Sequence, residues 1–388
     1  MMRRWFLVVF SFAALLGGMF PSSPGLVGTA RAGRLDPPWQ VHDPITYSNL
    51  ALFPVTAAGQ HDASGYLTLD EGLRAGEVEV TELGAAMIRR RPGGPQGGQA
   101  QVNTLALINH SKRPLILLAG EIVTGGKQDR VISKDRIVLP GGELPLDVFC
   151  VEPGRWHGAS QAFGGQSLMA APTIREKAAV AKNQQEVWQA NDQVRSGVAE
   201  NMGGSTAGGA PAAARAELGR SSSYAQLENS EVFKRRIDDA SNQLQRDYER
   251  ALRGALSGKD VVGVVIAING EVVWADAFAD SGLFARYWPK LLRSYVVEAM
   301  SGPVVEHAVA RRPTAEQFLY QAEGKQIIEV EPGEYRLIQI DHPRYSVFQL
   351  ASLIEKSEPL LHFNKLRKET YPRPYPKPVP LPGPRRDP

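Results

Sequence analysis

Two apolar runs, Val261 to Ile268 and Glu271 to Phe278, stand either side of Asn269-Gly270. Asn-Gly accepts the positive φ that a two-residue type I′ turn requires, so the runs predict a β-hairpin. Strands this apolar belong in a core. With 388 residues of which 43% are hydrophobic, the chain has the material to build one, as one large domain or two modest ones. Its 44 basic and 41 acidic side chains leave +3, a field too weak to argue for nucleic acid or an acidic membrane, and no nucleic-acid partner is expected. Cys150 is the single cysteine, which excludes an intramolecular disulfide.

Residues 1–32 read as a secretory signal peptide. Arg3-Arg4 precede an apolar run from Trp5 to Leu16, and Ala30-Arg31-Ala32 supplies the small-x-small cleavage pattern. The run is shorter than the roughly 20 residues that cross a membrane, so no stable span is expected after cleavage. The mature chain then starts at Gly33, followed by a linker through residue 44, and the protein is expected to be periplasmic or secreted. Arg3-Arg4-Trp5-Phe6-Leu7 matches the centre of a twin-arginine signal but lacks the Ser/Thr before it and the Lys after it, which leaves both export routes open. No cysteine lies near the cleavage region, which excludes a lipoprotein.

From Tyr47 to Cys150 short apolar or alternating runs are separated by turn residues, the pattern of antiparallel sheet. Strands are expected at Leu50 to Val55, Glu77 to Glu82, Thr104 to Asn109, Leu115 to Ala119, Arg130 to Ser133 and Asp147 to Glu152, with the last one central. The polar stretch Asn109 to Pro114 should turn the chain so that the runs on either side of it pair. Pro92 to Gly98 holds four glycines and two prolines, which makes it an exposed loop. Thr173 to Arg195 and Asn229 to Leu256 read as helices, the second with Val232, Phe233, Ile237, Leu244, Tyr248 and Leu252 on its buried stripe. Ser281 to Met300 reads as a third helix, kinked or restarted at Pro289.

Fifteen of the twenty-one residues from Gly203 to Ser223 are Gly, Ala or Ser. So little apolar bulk does not offset the ordering entropy, and residues 196–226 are read as a flexible insertion. A second hairpin is expected at Gln326 to Val330 and Tyr335 to Ile340. Eight prolines between Tyr371 and Pro388 make residues 370–388 a disordered tail that could reach a protein or cell-envelope partner. Together these readings give an α+β protein. A sandwich-like, sheet-rich part, 45–157, packs with later helices and a C-terminal hairpin, 173–369, in a single domain, 45–369.

The densest polar stretch is Gly120-Glu121 through Gly125-Gly126-Lys127-Gln128-Asp129-Arg130. It misses the phosphate-binding loop pattern: an extra glycine intervenes, Gln128 replaces the hydroxyl and no helix follows. Its paired glycines suit a bulged turn with positive φ and a close approach of backbone or ligand. A second stretch, Cys150-Val151-Glu152-Pro153-Gly154-Arg155-Trp156, ends a strand with a carboxylate, a guanidinium and an indole. Arg155 could hold a phosphate or carboxylate, Trp156 could stack on a base or sugar ring, and Glu121 with Glu152 could exchange protons. The same residues could instead form a buried ion network that fixes strand ends. Cys150 reads as a core residue. The seven histidines form no helical metal-ligand spacing, no Gly-x-Ser-x-Gly elbow is present, and no pattern names a metal or a cofactor.

These two stretches in this order, with Pro140 between them, resemble the ARG and Rhodanese-Phosphatase-superfamily-associated Protein domain. The likeness continues through Gln185-Glu186-Val187-Trp188, the Asn269-Gly270 hairpin and the helix before Met300, and more faintly to Leu360-Leu361-His362-Phe363. The sequence departs from the family in carrying Asp129 where Asn is usual, and in its Gly/Ala/Ser insertion. The family name records genomic company with ADP-ribosylglycohydrolases and phosphatase-like proteins, which is association and not mechanism. The resemblance marks Glu121, Gln128, Asp129, Arg130, Glu152, Arg155 and Trp156 as site candidates; side-chain chemistry casts Glu121 and Glu152 as catalytic and the others as ligand-binding. The leading expectation is an exported ligand-binding module for a nucleotide, ADP-ribose-like or sugar-like molecule. The alternatives are a hydrolase using Glu121 and Glu152 as acid and base, and a non-catalytic envelope scaffold.

Overall fold

The computed structural model describes residues 39–82, 104–155, 162–164, 167–202, 211–305 and 307–368, and the backbone of 27–30. The Asn269-Gly270 hairpin lies at the heart of it. Asn269 and Gly270 take φ of 51° and 79°, and Ile268 pairs with Glu271 across the turn. Strand Val261–Ile268 also pairs with Leu50–Ala57, and Glu271–Phe278 with Leu360–Arg367. The hairpin therefore joins the early and late parts of the chain in one sheet. From one edge that ten-stranded sheet runs Val27–Ala30, Gly324–Glu331, Tyr335–His342, Tyr345–Ser352, Leu360–Arg367, Glu271–Phe278, Val261–Ile268, Leu50–Ala57 and Trp39–Val41, with Ile45–Tyr47 also on Leu50–Ala57.

A seven-stranded antiparallel sheet follows the order Ala162–Phe163, Val78–Glu82, Thr104–Asn109, Glu143–Cys150, Arg130–Ile132, Glu121–Val123, Leu168–Met169, which puts Glu143–Cys150 at its centre. Facing it is a three-stranded sheet of Arg136–Val138, Leu115–Leu117 and Leu67–Thr68. Val80, Leu107, Leu146 and Ile132 from the first meet Leu67, Leu115 and Val138 from the second in one buried cluster. Alternation on the large strands supplies the inner face, as a sandwich requires.

The two runs either side of Asn109–Pro114 do not pair with each other. Thr104–Asn109 pairs with Val78–Glu82 and Glu143–Cys150, while Leu115–Leu117 crosses to the small sheet. The buried Asn109 carboxamide explains the crossing. It donates to the carbonyls of Arg113, Val138 and Leu139 and accepts from Ser111, which locks the connection into a compact corner instead of a hairpin.

The helices fill the space between the seven-stranded sheet and one face of the large sheet, where Ile122, Val131, Val264, Trp274, Ile237 and Leu291 share a core. Helix Glu231–Arg253 buries Phe233, Ile237, Leu244 and Tyr248 there. Helix Ser281–Met300 runs unbroken through Pro289, its first turn capped by Asp280 accepting from Leu283 N at 2.6 Å. On the opposite face of the large sheet, helix Arg312–Tyr320 covers Phe53, Val265 and Phe363 with Ala315 and Leu319. The central hairpin is thus covered on both faces.

Two further expectations change. The helix expected over Thr173–Arg195 is two helices, Pro172–Glu176 and Gln184–Asn201, with a π-helical turn at Lys177–Ala181 between them. Lys182 at φ 51° ends the turn, and the Asn183 side chain caps the second helix by accepting from Gln185 N and Glu186 N. Secondly, the stretch 196–226 read as a flexible insertion is ordered wherever it is described. Gln184–Asn201 runs into it, Ala212–Arg220 is a helix, and Tyr224 is buried. Polar anchors make up for its lack of apolar bulk: Asn191 Nδ2 holds the Val151 and Ser222 carbonyls, Arg195 holds those of Leu218 and Ser221, and Ser223 Oγ donates to Asp129. Residues 203–210 lie outside the described residues. The expected second hairpin forms, as Gly324–Glu331 paired with Tyr335–His342, and Tyr345–Ser352 and Leu360–Arg367 continue the sheet from it. Most of the segment read as a signal peptide, the loop at 92–98 and the tail at 370–388 are outside the described residues.

Candidate functional site

The glycine-rich stretch is a turn leaving strand Glu121–Val123 and entering Arg130–Ile132. Gly125 and Gly126 take φ of 123° and 53°, and a Cβ on Gly126 would stand 2.4 Å from the Phe163 ring. The turn can therefore close only with glycine there. Arg155, at the end of the central strand, pins it: Nη1 donates to Gly126 O at 3.0 Å, and Nη2 reaches Glu152 at 2.6 Å and Asp129 at 3.3 Å. Asp129 also accepts from Gly125 N, and its own N donates to Glu152. The Glu152 carboxylate raises the Arg155 guanidinium further, and burial pushes Asp129 up. Arg130 is buried, donating to Gln128 O at 2.7 Å and lying 3.8 Å from Glu82. The Gln128 carboxamide is buried with no partner among the described residues. Five expected site residues, Gln128, Asp129, Arg130, Glu152 and Arg155, thus converge on one turn. Trp156 lies outside the described residues.

Glu121 belongs to a different cluster. Its fully buried carboxylate accepts from Leu118 N through Oε2 and meets Lys290 Nζ at 2.5 Å through Oε1. The same ammonium is 2.7 Å from Asp70 Oδ2 and 2.9 Å from Ser167 Oγ, and lies over the Tyr287 ring. Ser167 donates to Asp70 Oδ1 through both N and Oγ. Burial raises the Glu121 carboxyl, Lys290 opposing it only in part. Burial acts the same way on Asp70, but there the Lys290 ammonium and Ser167 prevail and hold it below its ordinary value. Burial would lower Lys290, yet its two carboxylates keep it raised. Among the described residues Glu121 and Glu152 share no partner, so the companion of Glu121 is Asp70.

Above this cluster opens a cavity of about 520 Å³. Helix Ser281–Met300 presents Arg286, Pro289, Lys290 and Arg293 to it, a spacing that gathers on one helical face. Opposite stand Asp70, Thr124 and Ser167. Arg286 is held by the Tyr66 and Ala63 carbonyls and Glu71, and Arg293 by Glu228 and Asp238. The cation stripe was legible in the sequence as Arg286, Lys290 and Arg293 within a helical window. Asp70 and Ser167 carried no such signal, being remote in sequence.

A third buried network stands beside the second. Asp276 accepts from both Arg175 Nη atoms at 3.1 Å, from Trp274, Asn364 and Tyr295, and from His362 Nε2 at 3.1 Å. The other His362 nitrogen meets Asp135 at 2.6 Å. Burial alone would lower the imidazole, but Asp135 and then Asp276 bring it up to about 9. Against burial, the Arg175 guanidinium drives the Asp276 carboxyl far below the ordinary range. Gly120, at φ 95°, leaves room for Arg175, whose Cγ would be 2.4 Å from a Cβ at that position. Gly120-Glu121 thus touches both clusters, one through an absent side chain and the other through a carboxylate.

Cys150 is buried and its thiol raised by that burial, in keeping with a core role. Among the described residues no group of three or more His, Cys, Asp or Glu could hold a metal ion, and no helix is long and apolar enough to cross a membrane. No curated protein and no solved structure matches the chain. The model of one family does, over residues 38–360, a span that includes the first two networks, the cavity wall and, of the third network, every member but His362 and Asn364. The chain belongs to the ARG and Rhodanese-Phosphatase-superfamily-associated Protein domain family.

Proposed function

We propose that the protein is an exported binding module for a small polar ligand, nucleotide, ADP-ribose-like or sugar-like, held in the cavity over Lys290. The observation that carries this reading is the cavity wall itself. Among the described residues Arg74, Lys234, Arg286, Lys290 and Arg293 line it against only Asp70 and Glu228, while Glu71, Glu121 and Asp238 balance these cations from behind. A wall so arranged suits phosphate or another anion, and Thr124, Ser167 and Asn229 suit hydroxyl groups. About 520 Å³ falls within the range of small-molecule sites, roughly 300–1,000 Å³. The glycine-rich turn enters through Thr124, so Arg155 and Asp129 act by setting the position of that wall. Export rests on Arg3-Arg4, the apolar run and Ala30-Arg31-Ala32, where cleavage removes the edge strand Val27–Ala30 and leaves Gly324–Glu331 as the edge of the large sheet.

Thermal unfolding of the chain against ADP-ribose, nucleotides, sugar phosphates and glycan fragments tests the reading. A ligand at 100 times its dissociation constant adds about 2.7 kcal/mol to stability. Stabilisation by a phosphate-bearing or sugar compound, reduced by Arg74→Ala, supports it, and a panel without effect rejects it.

The hydrolase reading has one observation in its favour: Asp70 and Glu121 share Lys290 while their carboxyls shift in opposite directions, the arrangement that separates base from acid. Full turnover by Asp70→Asn and Glu121→Gln of any compound found to be hydrolysed would reject it.

A further inference from the structure

A second cavity, of about 90 Å³, lies where the strand-rich part meets the large sheet, and among the described residues it shares no lining residue with the first. Trp274, Leu337 and Phe348 give it an apolar wall. Its charged residues pair off: Arg175 with Asp276, Asp135 with His362, and Lys134 with Glu329 at 2.7 Å. Lys182 remains. No hydrogen bond or ion pair engages its ammonium among the described residues, nor the side chain of Gln339 on the same lining, and the buried Arg175 Nε is also without a partner. Lys182 closes the π-helical turn Lys177–Ala181 with a left-handed φ of 51°. A side chain held in that region and a π-helical turn are both features that concentrate at functional sites.

An unpaired cation at the rim of an apolar space selects a ligand with one negative charge and a hydrocarbon body. Size narrows it further. A cavity of roughly 150 Å³ accepts benzene, so this one admits a shorter molecule and excludes a nucleotide or a hexose. We propose that the cavity is a binding site for a short-chain monocarboxylate, with the carboxylate on Lys182 and the Gln339 amide and the hydrocarbon against Trp274, Leu337 and Phe348.

The test is titration calorimetry and thermal unfolding of the full chain, in carboxylate-free buffer, with propionate, its neutral analogue propionamide, and inorganic phosphate. Propionate is expected to bind saturably and raise the melting temperature, with propionamide and phosphate at least tenfold weaker. Lys182→Met, at an exposed position that leaves folding intact, should weaken propionate at least tenfold, and Ala179→Leu, which fills the cavity, should abolish binding. Absence of propionate binding, equal binding of phosphate or propionamide, or undiminished binding by Lys182→Met would each overturn the proposal. ADP-ribose and the sugar phosphates, directed to the other cavity, should respond to Arg74→Ala and not to Lys182→Met, so the two sites fail or stand separately.

Discussion

Lys290 Nζ stands 2.5 Å from Glu121 Oε1 and 2.7 Å from Asp70 Oδ2, so one helix holds two carboxylates that arrive from separate parts of the chain. Removing that ammonium leaves two buried acids facing each other. Lys290→Met is expected to cost about 3–5 kcal/mol in urea unfolding, the usual result of orphaning a buried ion partner. Lys290→Met combined with Glu121→Gln should recover part of the loss. A single variant as stable as wild type would show that the pair is not formed.

Gly120 is required by geometry rather than by flexibility. Gly120→Ala places a Cβ against Arg175 and holds alanine at φ 95°, so a loss of more than about 2 kcal/mol is expected. Gly65→Ala, where a Cβ meets nothing within 4 Å, is the control and should change stability by less than about 0.5 kcal/mol. Chemical denaturation of the two variants reads both.

His362 makes stability depend on alkaline pH. Its pKa rises from 6.5 to about 9 on folding, so its contribution is fully present below about 6.5 and is lost as pH climbs through about 9. Lys365, which burial pulls down to about 7, has the opposite slope above neutrality. The difference in melting temperature between wild type and His362→Asn, followed from pH 6 to 10, isolates the histidine. It is expected to shrink steadily over that window, and a constant difference would contradict the charged imidazole between Asp135 and Asp276.

Arg155 is about one-third exposed, so its ion pairs add little to global stability. Its effect is local. Arg155→Ala should speed amide hydrogen exchange at Gly125 and Lys127 while changing the unfolding midpoint only slightly, and unchanged exchange there would show that the guanidinium does not pin the turn.

The legible parts of this fold were those where local chemistry and long-range packing agree. Asn269-Gly270 fixes its own turn, and the stripe Phe233, Ile237, Leu244, Tyr248 declares its own buried face. Asn109–Pro114 misled because turn residues say that the chain bends, not onto which sheet it goes, and a buried carboxamide made that choice. Residues 211–226 misled because their order comes from Asn191, Arg195 and Asp129, partners that composition does not show. Glu121 was legible as a candidate, since a carboxylate directly after a buried strand is conspicuous. Its partners were not: Asp70 and Ser167 follow no spacing rule, and Lys290, although its helical spacing with Arg286 and Arg293 shows in the sequence, meets them only through tertiary folding.

The central claim is that the cavity over Lys290 holds a ligand, and blocking it tests this most directly. Thr124→Trp fills the cavity from the wall opposite the cation stripe and leaves every member of the Lys290 cluster in the sequence. Thermal unfolding of wild type and Thr124→Trp should be compared with and without ADP-ribose, sugar phosphates and nucleotides. The account predicts stabilisation of the wild type by at least one of these, lost in Thr124→Trp while the unliganded melting temperatures stay close. Equal stabilisation of both proteins, or none of either, would contradict it.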